Sequence, residues 1–458
     1  MKHIKSCFLS FCLVLTTFSA FAQDWVNVGN PDFSTTGTTY SSICIDSKGT
    51  PYVAYIDDSV SFGQMSVMKF NGSNWVYVGI PRFSVTSAMY AYLALDTGGT
   101  PYVAFGDGAF NNKATVMKFD GTSWVYIGSR GFSDGWAENI QIAIDNSGTP
   151  YVVYMDGNSG KATVLKYDGS SWVFVGPDGF SSNEGGYPAI AINNSGTSYV
   201  VYEDIAVSSV GTGPVTVMKY NGSAWEYVGS PAFSDGIVDN PRIAIDSSGT
   251  PYVIYGDEPN SGKAIVKKFD GTNWVNVGSP DFSSGVAGFT TMAIAGGTIY
   301  AAYTDQANAN KITVMKYNGS SWADAGSPGF SPAQAIYVNI AIDTDNTPYV
   351  VYQDGSGGPA KVEKLDTAIH TGIKNIDNPS LALTIFPNPT HNTFTLHLTT
   401  QINEPATITI TNILGEKVKQ LTTTTNTDIQ IQLNTPPGVY FILATTKKET
   451  ITSKIVIE

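Results

Sequence analysis

The stretch "IAIDNSGTPYVVYMD", residues 142–156, reads as two short strands joined by a Gly-Thr-Pro turn, and close copies of it recur along the chain. Around this core a longer unit repeats. Tryptophans at 25, 75, 124, 172, 225, 274 and 322 each open a W-x-x-x-G or closely similar stretch, spaced 48 to 53 residues apart. A period near 50 residues marks a propeller or a solenoid. Within one unit four strand-like runs follow one another, as in 141–145, 151–156, 162–167 and 172–175.

The connections carry their own chemistry. Asp-Gly at 120, 168 and 270, matched by Asn-Gly at 71, 221 and 318, supplies the positive φ angles of tight hairpins, so the third and fourth runs of each unit pair. The first run alternates Ile, Leu or Met with a small residue at Ala143, Ala191, Ala244, Ala293 and Ala341; Cys44 takes that slot in the first unit. Small residues there suit strands crowded around an axis, and Cys44 reads as a small core residue.

The I-D-x-x-G-T-P-Y pattern, with its variants, occurs seven times, and so does the Trp run. However, the series opens on a Trp run at Trp25, and the last unit stops at Lys364-Leu365-Asp366 without one. The first strand therefore completes the seventh unit and leaves no free sheet edge. The expectation is an all-β protein: a seven-bladed β-propeller over 24–366, followed by a small C-terminal β-sandwich. An open solenoid is the competing arrangement.

Composition fits this picture. The 458 residues include 46 Gly, with 12% aromatic and only 14% charged residues. A formal charge of -13 argues against nucleic acid and anionic membranes as partners. The first 22 residues have the form of a secretory signal: basic Lys2, His3 and Lys5, an apolar run from Cys7 to Phe18, and Ala20-Phe21-Ala22 before Gln23. Two of three cysteines leave with it, so Cys44 has no disulfide partner. No later stretch is long and apolar enough for a transmembrane helix.

Beyond Asp366 the repeat ends. Residues 367–380 read as a linker, and 381–458 alternate apolar and polar residues at period two, as in "LTIFPNPTHNTFTLHL", which indicates a second, small β domain. This region resembles the type A C-terminal sorting domain of the bacterial type IX secretion system. The likeness lies in Phe386-Pro387-Asn388-Pro389, in Asn412-Ile413-Leu414-Gly415-Glu416-Lys417-Val418, in Gly438-Val439-Tyr440 and in the final Lys454-Ile455-Val456-Ile457. Phe386 stands where the family more often has Tyr. The resemblance implies passage to the periplasm, recognition by the outer-membrane translocon, and then release or attachment at the cell surface.

All four histidines, at 3, 370, 391 and 397, lie outside 24–366. A Ser-His-Asp triad, a Cys-His pair and a zinc site of ordinary ligand type therefore cannot form within the ring, and no catalytic residue, metal or cofactor is assigned. Asp57, Asp107, Asp156, Asp204, Asp257, Asp305 and Asp354 end the second run of every unit, a regularity that suits turn caps better than the two distinct carboxyls of a glycosidase. Arg82, Arg130 and Arg242 are the ring's three arginines, enough in number to clamp a carboxylate, but the S-x-D-x-G-x-x-W box of sialidases is not matched.

Just before each inner strand stand Tyr40, Tyr90, Asn139, Tyr187, Asn240, Phe289 and Tyr337. Aromatics and amides around a channel mouth suit stacking on sugar rings or holding a peptide, with Trp136, Glu138, Glu184, Asp235 and Asp239 adding polar contacts. The alternative is that these rings only fill the blade tops. Loops between units are short, with no lid-sized insertion. The reading is a secreted or surface recognition module, non-catalytic, for polysaccharide or protein; a carboxylate-based polysaccharide hydrolase or lyase is the second hypothesis.

Overall fold

A computed structural model describes residues 24–34, 37–59, 62–205, 212–366, 381–400, 402–446 and 450–458. The secretory signal read at 1–22 and the linker read at 367–380 lie outside these residues. The described chain falls into two compact units, one holding the described residues of 24–366 and one the C-terminal residues from 381 on.

The first unit is built of seven four-stranded antiparallel sheets. In six of them four consecutive strands pair in chain order. The third sheet is typical: Ala137–Ile144, Pro150–Asp156, Ala162–Tyr167 and Trp172–Phe174. The seventh sheet joins Ala335–Ile342, Pro348–Asp354 and Ala360–Asp366 to the first strand, Asp24–Asn27, through Trp25↔Leu365 and Val26↔Lys364. Each inner strand contacts the inner strand of the next sheet, and that of the seventh contacts Thr38–Ile45 of the first, which closes the ring.

The seam between sheets explains the repeat. Every repeat Trp donates its indole Nε1–H to a backbone carbonyl of the preceding sheet: Trp75 to Val28 at 2.7 Å, Trp124 to Val78 at 2.7 Å, Trp225 to Val175 at 2.6 Å. The face of the indole stacks on the Phe of the Phe-Ser pair that enters its own sheet, as in Phe83–Trp124 at 4.2 Å and Phe180–Trp225 at 4.1 Å. The Ser beside that Phe accepts the backbone N–H that opens the third strand of the preceding sheet, as Ser133 does from Ala114. One indole thus buries a large apolar face and satisfies its only donor.

The inner strands begin earlier than the sequence pattern predicts. The third starts at Ala137, four residues before Gln141, because its pairing is interrupted between Glu138 and Gln141 by a bulge, and all seven inner strands carry the same irregularity. A bulge breaks period-two alternation, so the first half of the strand looks like loop in sequence.

The C-terminal unit holds two sheets. One comprises Leu381–Phe386, Thr393–Thr400 and Asp428–Gln432; the other comprises Lys417–Thr424, Pro405–Thr411, Gly438–Thr445 and Thr450–Ile457. Phe394, Leu396 and Ile431 of the first sheet share one apolar core with Ile408, Ile442 and Ile455 of the second. No helix among the described residues is long and apolar enough to cross a membrane.

Candidate functional site

The bulge residues of the seven inner strands are Tyr40, Tyr90, Asn139, Tyr187, Asn240, Phe289 and Tyr337, and all have positive φ, between 45° and 53°. That conformation is uncommon for Asn and unfavourable for bulky aromatics, so seven repetitions of it indicate a backbone imposed by the sheets. Its effect is to turn each side chain out of the pleat. All seven line one cavity of about 440 Å³, together with Tyr92, Glu138, Gln141, Arg242 and Asn339 among others. The residues expected at the channel mouth are thus brought together, within the inner strands instead of before them.

The cavity has two unlike halves. Tyr90, Tyr40, Tyr337 and Phe289, from the second, first, seventh and sixth sheets, form a continuous arc with centroid separations of 5.2, 4.8 and 5.8 Å. The other half, from the third, fourth and fifth sheets, carries Glu138, Asn139, Tyr187, Asn240 and Arg242. Burial raises the hydroxyl pKa of Tyr40, Tyr90, Tyr187 and Tyr337 above the ordinary tyrosine value, so these phenols stay protonated and able to donate a hydrogen bond.

Arg242, which the sequence offered only as one of three arginines able to clamp a carboxylate, lines the cavity, and three polar residues, Tyr92, Asn339 and Glu203, escaped the sequence reading. Arg242 sits two residues after Asn240 on the inner strand of the fifth sheet, and its Nη1 donates to the Pro241 carbonyl at 3.1 Å. Tyr92 and Asn339 hold equivalent places in the second and seventh sheets, with the Asn339 amide donating to the Tyr92 hydroxyl at 3.4 Å. Glu203 lies on the second strand of the fourth sheet, paired with Gly186 of the inner strand. Its side chain is wholly buried and neither carboxyl oxygen has a hydrogen-bond partner. Burial, then the charge of Asp239, pushes its pKa up to about 8. Arg242 is the one charged residue at its position in the seven inner strands, and Glu203 the one charged residue at its position in the seven second strands, the signal in sequence that marks them.

Other expected residues stand elsewhere. Trp136 does not line the cavity; it is 47% exposed and donates to Glu138 Oε1 at 2.6 Å. The three arginines do not converge: Arg130 pairs with Asp107 at 2.9 Å and lies over Phe110 and Tyr126, while Arg82 reaches Ser59. Of the strand-ending aspartates, Asp57, Asp107, Asp156, Asp305 and Asp354 accept backbone N–H groups, and Asp204 and Asp257 accept side-chain amides of Asn183 and Asn260. The Cys44 thiol donates to the Leu93 carbonyl at 3.3 Å, and burial pushes its pKa up to about 12. Among the described residues no three His, Cys, Asp or Glu side chains are placed to hold a metal ion.

In the C-terminal unit the Phe386-Pro387-Asn388-Pro389 motif is tied to the last strand. The Asn388 side chain donates to the Lys454 carbonyl at 2.9 Å and accepts the Val456 N–H at 3.0 Å, while Phe386 is 77% exposed. Gly415, with φ of 80°, completes a turn in which Asn412 Oδ1 accepts the N–H groups of Leu414 and Glu416. Gly438 opens its strand, and buried Tyr440 donates its hydroxyl to the Pro436 carbonyl at 2.8 Å.

The chain is similar to several solved structures. They include an ulvan lyase of polysaccharide lyase family PL25 (13% identity, TM-score 0.49, 73% of this chain and 95% of that one). A Trypanosoma rangeli sialidase gives 11% identity and a TM-score of 0.44, over 94% and 86%. The Aleuria aurantia lectin gives 15% and 0.41, over 62% and 93%. No curated protein matches the chain. Residues 384–458 match the family described as "Secretion system C-terminal sorting domain". With its motifs joined as described, this C-terminal region is a type IX sorting domain, and the protein is one secreted or displayed at the cell surface.

Proposed function

We propose that the chain is a secreted recognition module: a signal peptide at 1–22, a seven-bladed β-propeller over 24–366 closed by its own first strand, a linker at 367–380 and a β-sandwich sorting domain over 381–458. The propeller binds an extracellular polysaccharide through the mouth of its central channel, without catalysis. One observation carries this reading, the convergence of seven bulge residues on a single cavity with an aromatic arc facing a polar half. A sugar ring has the same two-sidedness, with an apolar face for stacking and a hydroxyl edge for amides and phenols. A glycan array probed with the secreted protein tests it: binding falls at least tenfold when Tyr40, Tyr90 and Tyr187 are replaced together by Ala. Unchanged binding by that variant removes the assignment of this face.

The second reading, a carboxylate-based hydrolase or lyase, draws on Glu203 and Asp239, two carboxyls at one place whose pKa values are both raised. Against it, neither side chain lines the cavity. Turnover on a polysaccharide panel, lost in Glu203→Gln, favours this reading over the first.

A further inference from the structure

We infer that the saccharide held in the channel is an acidic one, and that the guanidinium of Arg242 takes its anionic group while the Tyr90–Phe289 arc covers the sugar face. This rests on the binding reading above and adds the ligand's charge.

Among the described residues Arg242 is the only cationic side chain lining the cavity. Its position is second from the bulge, where the other inner strands have Ser42, Tyr92, Gln141, Ala189, Thr291 and Asn339, none of them charged. A cation introduced once into seven otherwise neutral copies is not part of the scaffold.

The guanidinium has five N–H donors, of which the described residues engage one at Nη1, with the carbonyl of its own neighbour Pro241. It forms no ion pair among the described residues. Arg130 shows the alternative, since Nε and Nη2 both reach Asp107, at 3.0 and 2.9 Å, and its charge is spent. A half-buried guanidinium with most of its donors unengaged is costly unless an anion meets it, and its planar fork matches carboxylate or sulfate oxygens in pairs.

Among the described residues no acid lies within ion-pair distance of Arg242, although the charges of Asp239 and Glu203 act on it at longer range. Glu138 Oε1 accepts the Trp136 indole N–H at 2.6 Å. Asp239 Oδ1 accepts the Asn240 amide at 2.6 Å. Glu203 is buried without a hydrogen-bond partner, and a carboxyl in that setting holds its proton at neutral pH. The amides of Asn139, Asn240 and Gln141 complete a rim suited to sugar hydroxyls.

Calorimetric titration of the secreted protein tests this with three oligosaccharides of matched length: an oligouronate, the same oligomer with its carboxyls reduced to alcohols, and a sulfated neutral oligomer. The wild type is expected to bind an acidic oligomer at least tenfold tighter than the reduced one, with the preference shrinking as salt is raised. Arg242→Gln is expected to abolish the preference, with Arg242→Lys intermediate. Whether the uronate or the sulfated oligomer gains more identifies the anion. Equal binding of acidic and reduced oligomers by the wild type overturns the inference but leaves the saccharide reading standing, and so does a preference that survives Arg242→Gln. Binding of none of the three overturns both. If Arg242→Gln fails to fold, judged by its unfolding temperature, the wild-type comparison and Arg242→Lys decide.

Discussion

The indole Nε1 of Trp25 donates to the carbonyl of Ala325 at 2.6 Å, across 300 residues of chain, and its ring stacks on Phe330 at 4.7 Å. This is the same clamp that Trp75 makes on Val28 and Phe33, so the seam where the chain's beginning meets its end is chemically identical to the other six. Trp25→Phe keeps the stacking and loses the hydrogen bond, with an expected cost of about 1 kcal/mol. Trp25→Ala also leaves a cavity against Phe330 and Leu365, with an expected cost of about 3–5 kcal/mol. Thermal and denaturant unfolding of the two variants check the order, and equal stabilities would show that the seam is not closed by this residue.

Positive φ at the bulges gives a prediction that separates backbone from side chain. Tyr90→Val and Tyr90→Asn both remove the ring, but Asn accepts the left-handed region and a β-branched residue does not. The Val variant is expected to be less stable than the Asn variant by about 1–3 kcal/mol. Denaturant unfolding measures the difference, and its absence would mean that the bulge is relaxed.

Glu203 links stability to pH. In the unfolded chain its carboxyl ionises near 4.5, whereas in the folded protein burial and the charge of Asp239 raise that value to about 8, against the opposing charge of Arg242. Between those values the folded state holds a proton the unfolded state has released. Stability therefore falls as pH rises from 4.5 to 8, by up to about 1.4 kcal/mol per pH unit, and levels off above. Glu203→Gln is expected to lack this slope and to overtake the wild type as pH approaches 8. Parallel stability curves for the two proteins across that window would contradict the assignment.

The Asn388 amide joins the Pro-rich motif to the terminal strand by one donated and one accepted hydrogen bond. Asn388→Ala removes both, and Asn388→Asp keeps only an acceptor. Both are expected to shift protein from the medium or cell surface to the periplasm, the Ala variant more strongly, as read by fractionation and immunoblotting. Normal export of both would show that this junction is not needed by the translocon.

The repeat made much of the architecture legible. Tryptophan spacing gave the unit, and counting Trp runs against I-D-x-x-G-T-P-Y runs showed that Trp25 belonged with Leu365. Hairpin turns announced themselves through Asp-Gly and Asn-Gly. The bulges did not, because a residue that leaves the ladder also leaves the alternation that would reveal its strand. Tyr187 could be chosen by position, but its setting inside the inner strand could not. Glu203, and the place of Arg242 in the cavity, were hidden for a different reason. In a sequence read for what its copies share, a residue present in one copy looks like noise. The seam was half visible: the Trp and Phe-Ser positions were plain, but the hydrogen-bond partners of the Trp and the Ser are backbone carbonyls and N–H groups, which no side-chain pattern encodes.

Within each inter-sheet clamp the indole meets a main-chain oxygen and the ring of the Phe-Ser pair, none of them a bulge residue. Duplication of one unit thus carries a finished joint with it, and mutation at the bulges leaves every joint intact. Seven sites can drift separately while the frame stays fixed, which makes a ring of this kind a ready substrate for diversification: new specificities arise by changing single letters at the rim, with no refolding of what holds them.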